Sequence, residues 1–168
     1  AASDVYKRQK INKKKKKTKK DSLRLKKNYK GTVLWKKSEA DFGRFHESMS
    51  WSPDGNKIAY SKYHYAKENQ SLVYDIKVYD TTTKKDKWIT SSMRTRFPVW
   101  VDSTNIAFVS VKNDTSNIFI SDQNGNLKQL TDFSGNTQIL DLNVSSNYES
   151  IVFAMSPESG NIDIYTIN

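Results

Sequence analysis

The chain has 168 residues, of which 27% are charged and 36% are hydrophobic, and its formal net charge is +10. So low a hydrophobic share is lean for one packed core, and we expect a tail joined to a smaller folded part. The charge divides in the same way: residues 1–50 carry 17 Lys or Arg against 5 Asp or Glu, and residues 51–168 carry 11 against 13. The foldable part is slightly acidic, which argues against a specific nucleic-acid-binding domain.

Cysteine is absent from the sequence, which excludes disulfides and thiolate zinc sites. The two histidines, His46 and His64, leave little for a metal site, and we expect no metal and no cofactor. There is no run of about 18 apolar residues, so we expect no membrane-spanning helix. An apolar signal core is also missing at the start, so a secretory signal would lie outside this sequence.

Residues 1–30 predict a disordered, lysine-rich tail. Residues 1–9 resemble translated sequencing-adapter read-through, and we expect them to be non-native. The run Lys13 to Lys17 and the lysines that follow form a block of like charge without an apolar face, which stays solvated. Two alternatives are a non-specific, salt-sensitive patch for nucleic acid or anionic lipid, and read-through of non-coding A-rich sequence.

From Gly31 onward, short β-branched and aromatic runs alternate with Asp-Gly, Asn-Gly and Ser-Gly turns, which predicts many short strands. Three segments repeat one strand at spacings typical of propeller blades: Ile58-Ala59-Tyr60, Ile106-Ala107-Phe108 and Ile151-Val152-Phe153. A second strand recurs as Asp75-Ile76, Asn117-Ile118 and Asp163-Ile164. The small residues Ala59 and Ala107 are expected to let a neighbouring sheet approach closely.

The repeats predict an all-β fold, a partial antiparallel β-propeller with about two complete four-stranded blades and parts of two more. Residues 31–38 are the expected end of one blade. The next blade, residues 45–91, has strands at 45–51, 56–62, 73–80 and 86–91. A second blade, residues 97–132, has strands at 97–100, 105–110, 117–122 and 126–132. An incomplete blade, residues 138–168, has strands at 138–144, 150–154 and 161–167. Because a closed propeller needs about four to eight blades, we expect this chain to be a fragment.

The segment Trp51-Ser52-Pro53-Asp54-Gly55, followed by Ile58-Ala59-Tyr60 and Trp88-Ile89-Thr90, resembles the WSPDG-type repeat of TolB-like β-propellers, which are WD40-like. Trp51, Pro53, Asp54 and Gly55 are assigned to a structural turn, because proline fixes φ and glycine permits positive φ. The resemblance implies a periplasmic or envelope-associated bacterial scaffold that binds a protein or peptide without catalysis.

The same repeat also occurs in the substrate-gating propellers of prolyl-oligopeptidase-type peptidases and beside some metallopeptidase domains. One alternative is therefore the regulatory propeller of a peptidase whose catalytic domain lies outside this sequence. Another is polyanion binding through the lysine-rich tail. The sequence has neither a Gly-x-Ser-x-Gly nor a His-Glu-x-x-His motif, and we expect no enzyme activity.

The first blade has an insertion of five or six residues after Ile58-Ala59-Tyr60. It predicts a loop with Tyr63, His64 and Tyr65 on the face of the array where insertions gather, and these residues form a candidate binding loop for a peptide or a carbohydrate. The alternative is that both tyrosines continue the strand and pack on a neighbour. Asp122-Gln123-Asn124-Gly125 resembles the opening of a calcium loop, but Phe133 stands where the twelfth ligand is needed, which favours a hairpin turn.

Overall fold

The computed structural model describes residues 48–158 and 160–168, and in this part of the chain eleven strands form three antiparallel sheets. Sheet 1 has the order β1-β2-β3-β4, and its strands are β1 Met49–Trp51, β2 Lys57–Ala66, β3 Ser71–Asp80 and β4 Lys85–Trp88. Sheet 2 repeats this order with β5 Thr95–Trp100, β6 Asn105–Lys112, β7 Thr115–Asp122 and β8 Leu127–Gln129. Sheet 3 has the order β11-β10-β9, with β9 Gln138–Val144, β10 Ile151–Ser156 and β11 Asp163–Ile167.

Two four-stranded sheets and one three-stranded sheet, each a meander, confirm the predicted all-β partial propeller with two complete blades and part of another. The registers agree with the sequence repeats: Trp51 pairs with Ile58, Trp100 with Ile106 and Val144 with Ile151. The predicted tail at 1–30 and the predicted blade end at 31–38 lie outside the described residues.

A first core cluster joins sheets 1 and 2. Ala59, Ile76 and Val78 of sheet 1 pack with residues of sheet 2, among them Trp100, Ile106 and Phe108. Phe108 is fully buried and its ring stacks on Phe119 with 6.3 Å between centroids. Ala59 is also fully buried, in agreement with the expectation that a small residue lets the next sheet approach.

A second core cluster joins sheets 2 and 3. It is formed by the opposite face of sheet 2 and one face of sheet 3: Ala107, Val109, Ile118, Ile139, Leu142, Ile151, Phe153 and Met155. Sheet 2 is therefore covered on both faces, which explains why its strands carry apolar residues on both sides of the pleat.

The exposure of equivalent isoleucines in β3, β7 and β11 shows whether the face of the sheet that carries them is covered by other residues. Ile76 in β3 and Ile118 in β7 are 0% exposed, whereas Ile164 at the same position of β11 is 78% exposed. Full burial of such a side chain is worth about 1.5–3 kcal/mol. The face of sheet 3 that carries Ile164 does not receive this contribution.

The described part of the chain has no helix of the length and apolar character needed to cross a membrane.

Candidate functional site

Strands β2 and β3 form a longer hairpin than their counterparts in the other sheets. They pair without interruption from Lys57 with Asp80 to Ala66 with Ser71, and the turn occupies residues 67–70. The inserted residues therefore lengthen two strands, and the predicted loop location of Tyr63, His64 and Tyr65 is wrong. The physical reason is that Ser71-Leu72-Val73-Tyr74 also has strand character, so both arms of the insertion pair with each other.

The three predicted residues alternate between the two faces of β2. Tyr63 lies opposite Tyr74, and their rings are tilted with centroids 4.8 Å apart. Tyr65 is 57% exposed and lies opposite Leu72. His64 is on the other face, where its ring lies 4.3 Å from that of Trp88. The structure thus separates the histidine from the two tyrosines.

A groove of about 640 Å³ opens beside the tyrosine side of this hairpin. Its lining comes from all three sheets and consists of Tyr63, Leu72, Val73, Tyr74, Arg94, Arg96, Val111 and Gln138. The volume is within the range of about 300–1,000 Å³ that is usual for ligand sites. The described lining contains two arginines and no acidic residue, so the groove is positively charged although residues 51–168 are slightly acidic.

Arg94 and Arg96 reach the groove from the connector between sheets 1 and 2 and from β5. Arg96 lies over the ring of Tyr74 with 5.7 Å between the guanidinium carbon and the centroid, which is within range of a cation–π contact. β5 has a register shift between Arg96 and Val99, and Phe97 in this bulge has φ of 53°. Bulges redirect side chains, and this one lies beside the groove.

The connector before β5 is anchored by Asp75, a fully buried residue of β3. The Asp75 carboxylate is bonded by His64 Nε2 at 2.8 Å, the Thr90 hydroxyl at 2.9 Å, and the backbone N–H groups of Ser92 and Met93 at 2.7 and 3.0 Å. These four hydrogen bonds compensate for the burial of the negatively charged carboxylate. Asp75 therefore fixes the backbone just before Arg94.

Asp75 and the groups that it accepts from form a clamp on the connector. A related clamp occurs in sheet 2, where Asn117 is equivalent to Asp75. Its Oδ1 accepts from the Thr131 hydroxyl at 2.9 Å and from the Phe133 N–H at 2.7 Å. Thr131 in turn accepts from the N–H of Ile118, as Thr90 does from Ile76. The same hydrogen-bonded clamp thus occurs in two sheets. No structural role was assigned from the sequence to the side chains that form it.

The hairpin turn holds the same connector from the other side. Asn69 Nδ2 donates to the Ser92 carbonyl at 2.8 Å, and the Ser92 hydroxyl donates to Glu68 at 2.6 Å. The hydrogen bond from Ser92 is the main reason that the pKa of Glu68 lies below its ordinary value. Ser92 and Arg94 have φ of 58° and 53°, left-handed values that cost non-glycine residues about 1–2 kcal/mol. The strained segment also contains Arg94, which lines the groove. Strained backbone is often found at functional sites.

The assigned turn residues Trp51, Pro53, Asp54 and Gly55 lie at the opposite end of sheet 1, between β1 and β2. Gly55 has φ of 70°, and its N–H donates to the Ser52 carbonyl at 2.9 Å. The Asp54 carboxylate accepts from the Ser52 hydroxyl and from the N–H of Asn56, and these bonds lower its pKa. Trp51 is 52% exposed at the end of β1.

The equivalent turn in sheet 3 places Tyr148 at the position of Gly55, with φ of 61°. We expect Tyr148→Gly to raise the free energy of unfolding by about 0.5–1 kcal/mol, because removal of the left-handed strain exceeds the entropy cost of glycine. Urea denaturation measures this effect. Gly55→Ala is the reciprocal control and should lower stability by about 1 kcal/mol. A destabilising Tyr148→Gly would show that the half-exposed ring contributes more than its backbone costs.

The matching turn in sheet 2 is closed by Asp102, which accepts hydrogen bonds from Thr104 and Asn105. Partial desolvation opposes ionisation, but these hydrogen bonds outweigh it and lower the pKa of Asp102 from 3.8 to about 2. The folded state then binds fewer protons than the unfolded chain, so this contribution is complete above about pH 4 and is lost as the pH falls through about 2.

We expect Asp102→Asn to flatten the pH dependence of stability between about pH 4 and pH 2, as followed by thermal midpoints. Asp114, which lies in the turn between β6 and β7, serves as the control through Asp114→Asn. An unchanged slope in Asp102→Asn would contradict the assigned role of these hydrogen bonds.

Within residues 48–158 and 160–168, no group of three or more His, Cys, Asp or Glu side chains is placed to hold a metal ion. Asp122, the first residue of the calcium-like segment, accepts from the N–H groups of Asn124 and Asn126 at 2.8 and 2.9 Å. These bonds close the hairpin between β7 and β8.

Among the residues that line the groove, Tyr63 alone was singled out from the sequence, which did not identify Leu72, Val73, Tyr74, Arg94, Arg96, Val111 or Gln138. The insertion lies at the end of sheet 1 beside which the groove opens, whereas Arg94 lies in the connector after β4 and Arg96 at the start of β5, two segments without a distinctive composition. The contact of Arg96 with Tyr74 joins two blades, and no local pattern in the sequence encodes it.

No protein-family model and no curated protein matches the chain. Solved structures do match its fold. An oligogalacturonate lyase in complex with manganese has a TM-score of 0.62 and 10% identity, over 82% of this chain and 42% of that one. A structure from a study of two prolyl endopeptidases has a TM-score of 0.59 and 13% identity, over 83% and 21%. TolB from Acinetobacter baumannii has a TM-score of 0.50 and 24% identity, over 71% and 28%.

The chain spans less than half the length of each of these proteins. At such identities the likeness shows the fold alone. The described residues therefore have the fold of part of a β-propeller, similar to TolB and to other propeller-like proteins.

Proposed function

We propose that this chain is a non-catalytic protein- or peptide-binding scaffold that forms part of a TolB-like propeller of the bacterial envelope. The observation that carries the proposal is the groove of about 640 Å³ formed by three successive sheets beside the lengthened β2–β3 hairpin. In repeat folds, insertions in single repeats gather on one face of the array, and this face is often the binding face.

The groove has the composition of a recognition surface. Tyr63 and Tyr74 supply amphipathic rings, and Arg94 and Arg96 supply planar cations. Tyrosine and arginine are enriched among residues that dominate binding energies, since both combine a large contact area with directional hydrogen bonding. The Asp75 clamp and the hairpin turn hold this wall in place before a ligand arrives, which reduces the entropy cost of binding.

The test is a selection of random dodecapeptides on the immobilised full chain. Tyr63→Ala should weaken binding of the selected peptides at least 10-fold, because it removes one of two paired rings from the groove. Tyr148→Ala is the matched control, because it removes a half-exposed tyrosine at the opposite end of a blade. Thermal midpoints establish that both variants are folded. Equal binding by Tyr63→Ala and the parent chain would overturn the assignment of the groove.

The peptidase-propeller alternative stays a prediction that the complete coding sequence tests. A hydrolase domain with a nucleophile-elbow segment on the same chain would replace the scaffold proposal with a gating role.

A further inference from the structure

We infer that the groove recognises an acidic peptide segment, in which a carboxylate stands next to an aromatic or aliphatic side chain. The inference rests on the proposed binding function and specifies its ligand. Its basis is the charge of the lining: two guanidinium groups, and no carboxylate among the described lining residues.

Arg94 is the residue placed to receive the carboxylate. Its side chain is exposed, and within the described part of the chain no hydrogen bond or ion pair occupies its guanidinium group. A guanidinium offers a planar pair of donors that matches a carboxylate in a bidentate arrangement. Because the connector is fixed by Asp75 and Ser92, this cation is held at the groove by its backbone rather than by an ion pair.

Apolar wall residues lie beside this cation. Leu72 is 45% exposed, and Val111 and Tyr63 contribute further apolar surface to the same groove. The guanidinium of Arg96 rests on Tyr74, which keeps a second positive charge beside the aromatic surface. A bound segment would therefore place a carboxylate at the arginines and a hydrophobic side chain against the wall.

The positive charge of the groove makes it selective among ligands. Residues 51–168 carry 11 basic and 13 acidic side chains, so the fold as a whole does not attract anions. A locally positive groove on a slightly acidic fold favours a ligand that places its negative charge next to the arginines.

The experiment uses two dodecapeptide libraries with Tyr, Phe and Leu at alternate positions. One library has Asp or Glu at the remaining positions, and the other has Asn or Gln there, so the two differ in charge and not in shape. We expect the acidic library to yield binders whose Kd rises several-fold between 50 and 300 mM salt and at least 10-fold in Arg94→Gln. Lys128→Gln removes the same charge from an exposed site on β8 and should change Kd less than 2-fold.

Two outcomes overturn the inference but leave the binding scaffold intact. One is equal recovery of binders that depend on Tyr63 from both libraries, and the other is an Arg94→Gln effect no larger than that of Lys128→Gln. Binding of oligogalacturonate with the same Arg94 dependence, without binding of acidic peptides, would replace the peptide by an anionic carbohydrate and also overturn the inference. If neither library nor a random one gives binders that depend on Tyr63, the proposed function itself fails.

Discussion

Asp75→Ala should lower the free energy of unfolding by about 3–5 kcal/mol, because several donors lose one buried acceptor at the same time. The carboxylate is fully buried, and its loss leaves the N–H groups of Ser92 and Met93 and the Thr90 hydroxyl without their acceptor. Buried donors without acceptors cost about 1–3 kcal/mol each, although such costs do not add simply. Urea denaturation followed by tryptophan fluorescence measures the change.

Asp75→Asn is the matched control, because sheet 2 uses asparagine at the equivalent position 117. One oxygen remains to accept, while the new NH₂ group faces donors, so a smaller loss of about 1–2 kcal/mol is expected. Should Asp75→Ala prove too unstable to purify, Thr90→Val tests the same clamp with one hydroxyl removed. A loss below about 1 kcal/mol in Asp75→Ala would mean that water replaces the carboxylate and that the clamp does not hold the connector.

Phe108→Ala is the second substitution with a large expected effect, a loss of about 3–5 kcal/mol. Phe108 is 0% exposed at the contact between sheets 1 and 2, where it packs in one cluster with Ala59 and Ile76. The interior has little freedom to collapse around the missing ring, because two paired sheets enclose it. Chemical denaturation and the thermal midpoint both report the loss.

Phe108→Leu keeps most of the volume and should cost less than about 1.5 kcal/mol. Phe119→Ala removes the stacked neighbour, which is only partly buried, and should cost less than Phe108→Ala. If Phe119→Ala were the more damaging of the two, the contact between sheets 1 and 2 would be centred on β7 rather than on Phe108 of β6.

Most of the strand framework could be predicted from the sequence. The segments around Ile58, Ile106 and Ile151 share β-branched residues and a common spacing, and local composition is sufficient to identify such strands. The lengthened hairpin could not be predicted with the same success, because Tyr63 is compatible with a loop and with a strand. The pairing of Tyr63 with Tyr74 makes Tyr63 part of a strand, and this pairing depends on the register of β3.

From the sequence, the candidate binding residues were placed at one end of the first blade, and the groove opens beside that end. His64 was grouped with Tyr63 because they are adjacent in sequence, whereas strand alternation places them on opposite faces. Arg94 was missed because its position depends on the buried Asp75, which holds the connector before it, and Arg96 was missed because it lies next to a bulge in β5. Neither the burial of a charge nor a bulge has a reliable local signal in a single sequence.

The exposure of Ile164 has a consequence for local opening of the fold. β11 is covered on one face and its residues are mostly exposed, whereas the equivalent strand β7 lies between two sheets. Backbone amides in weakly covered strands exchange with solvent through local unfolding, without unfolding of the whole domain. In hydrogen–deuterium exchange, the amides of β11 should therefore exchange on the order of 100-fold faster than those of β7. Such a gradient would make sheet 3 the first part of the fold to open and the two-blade core the last.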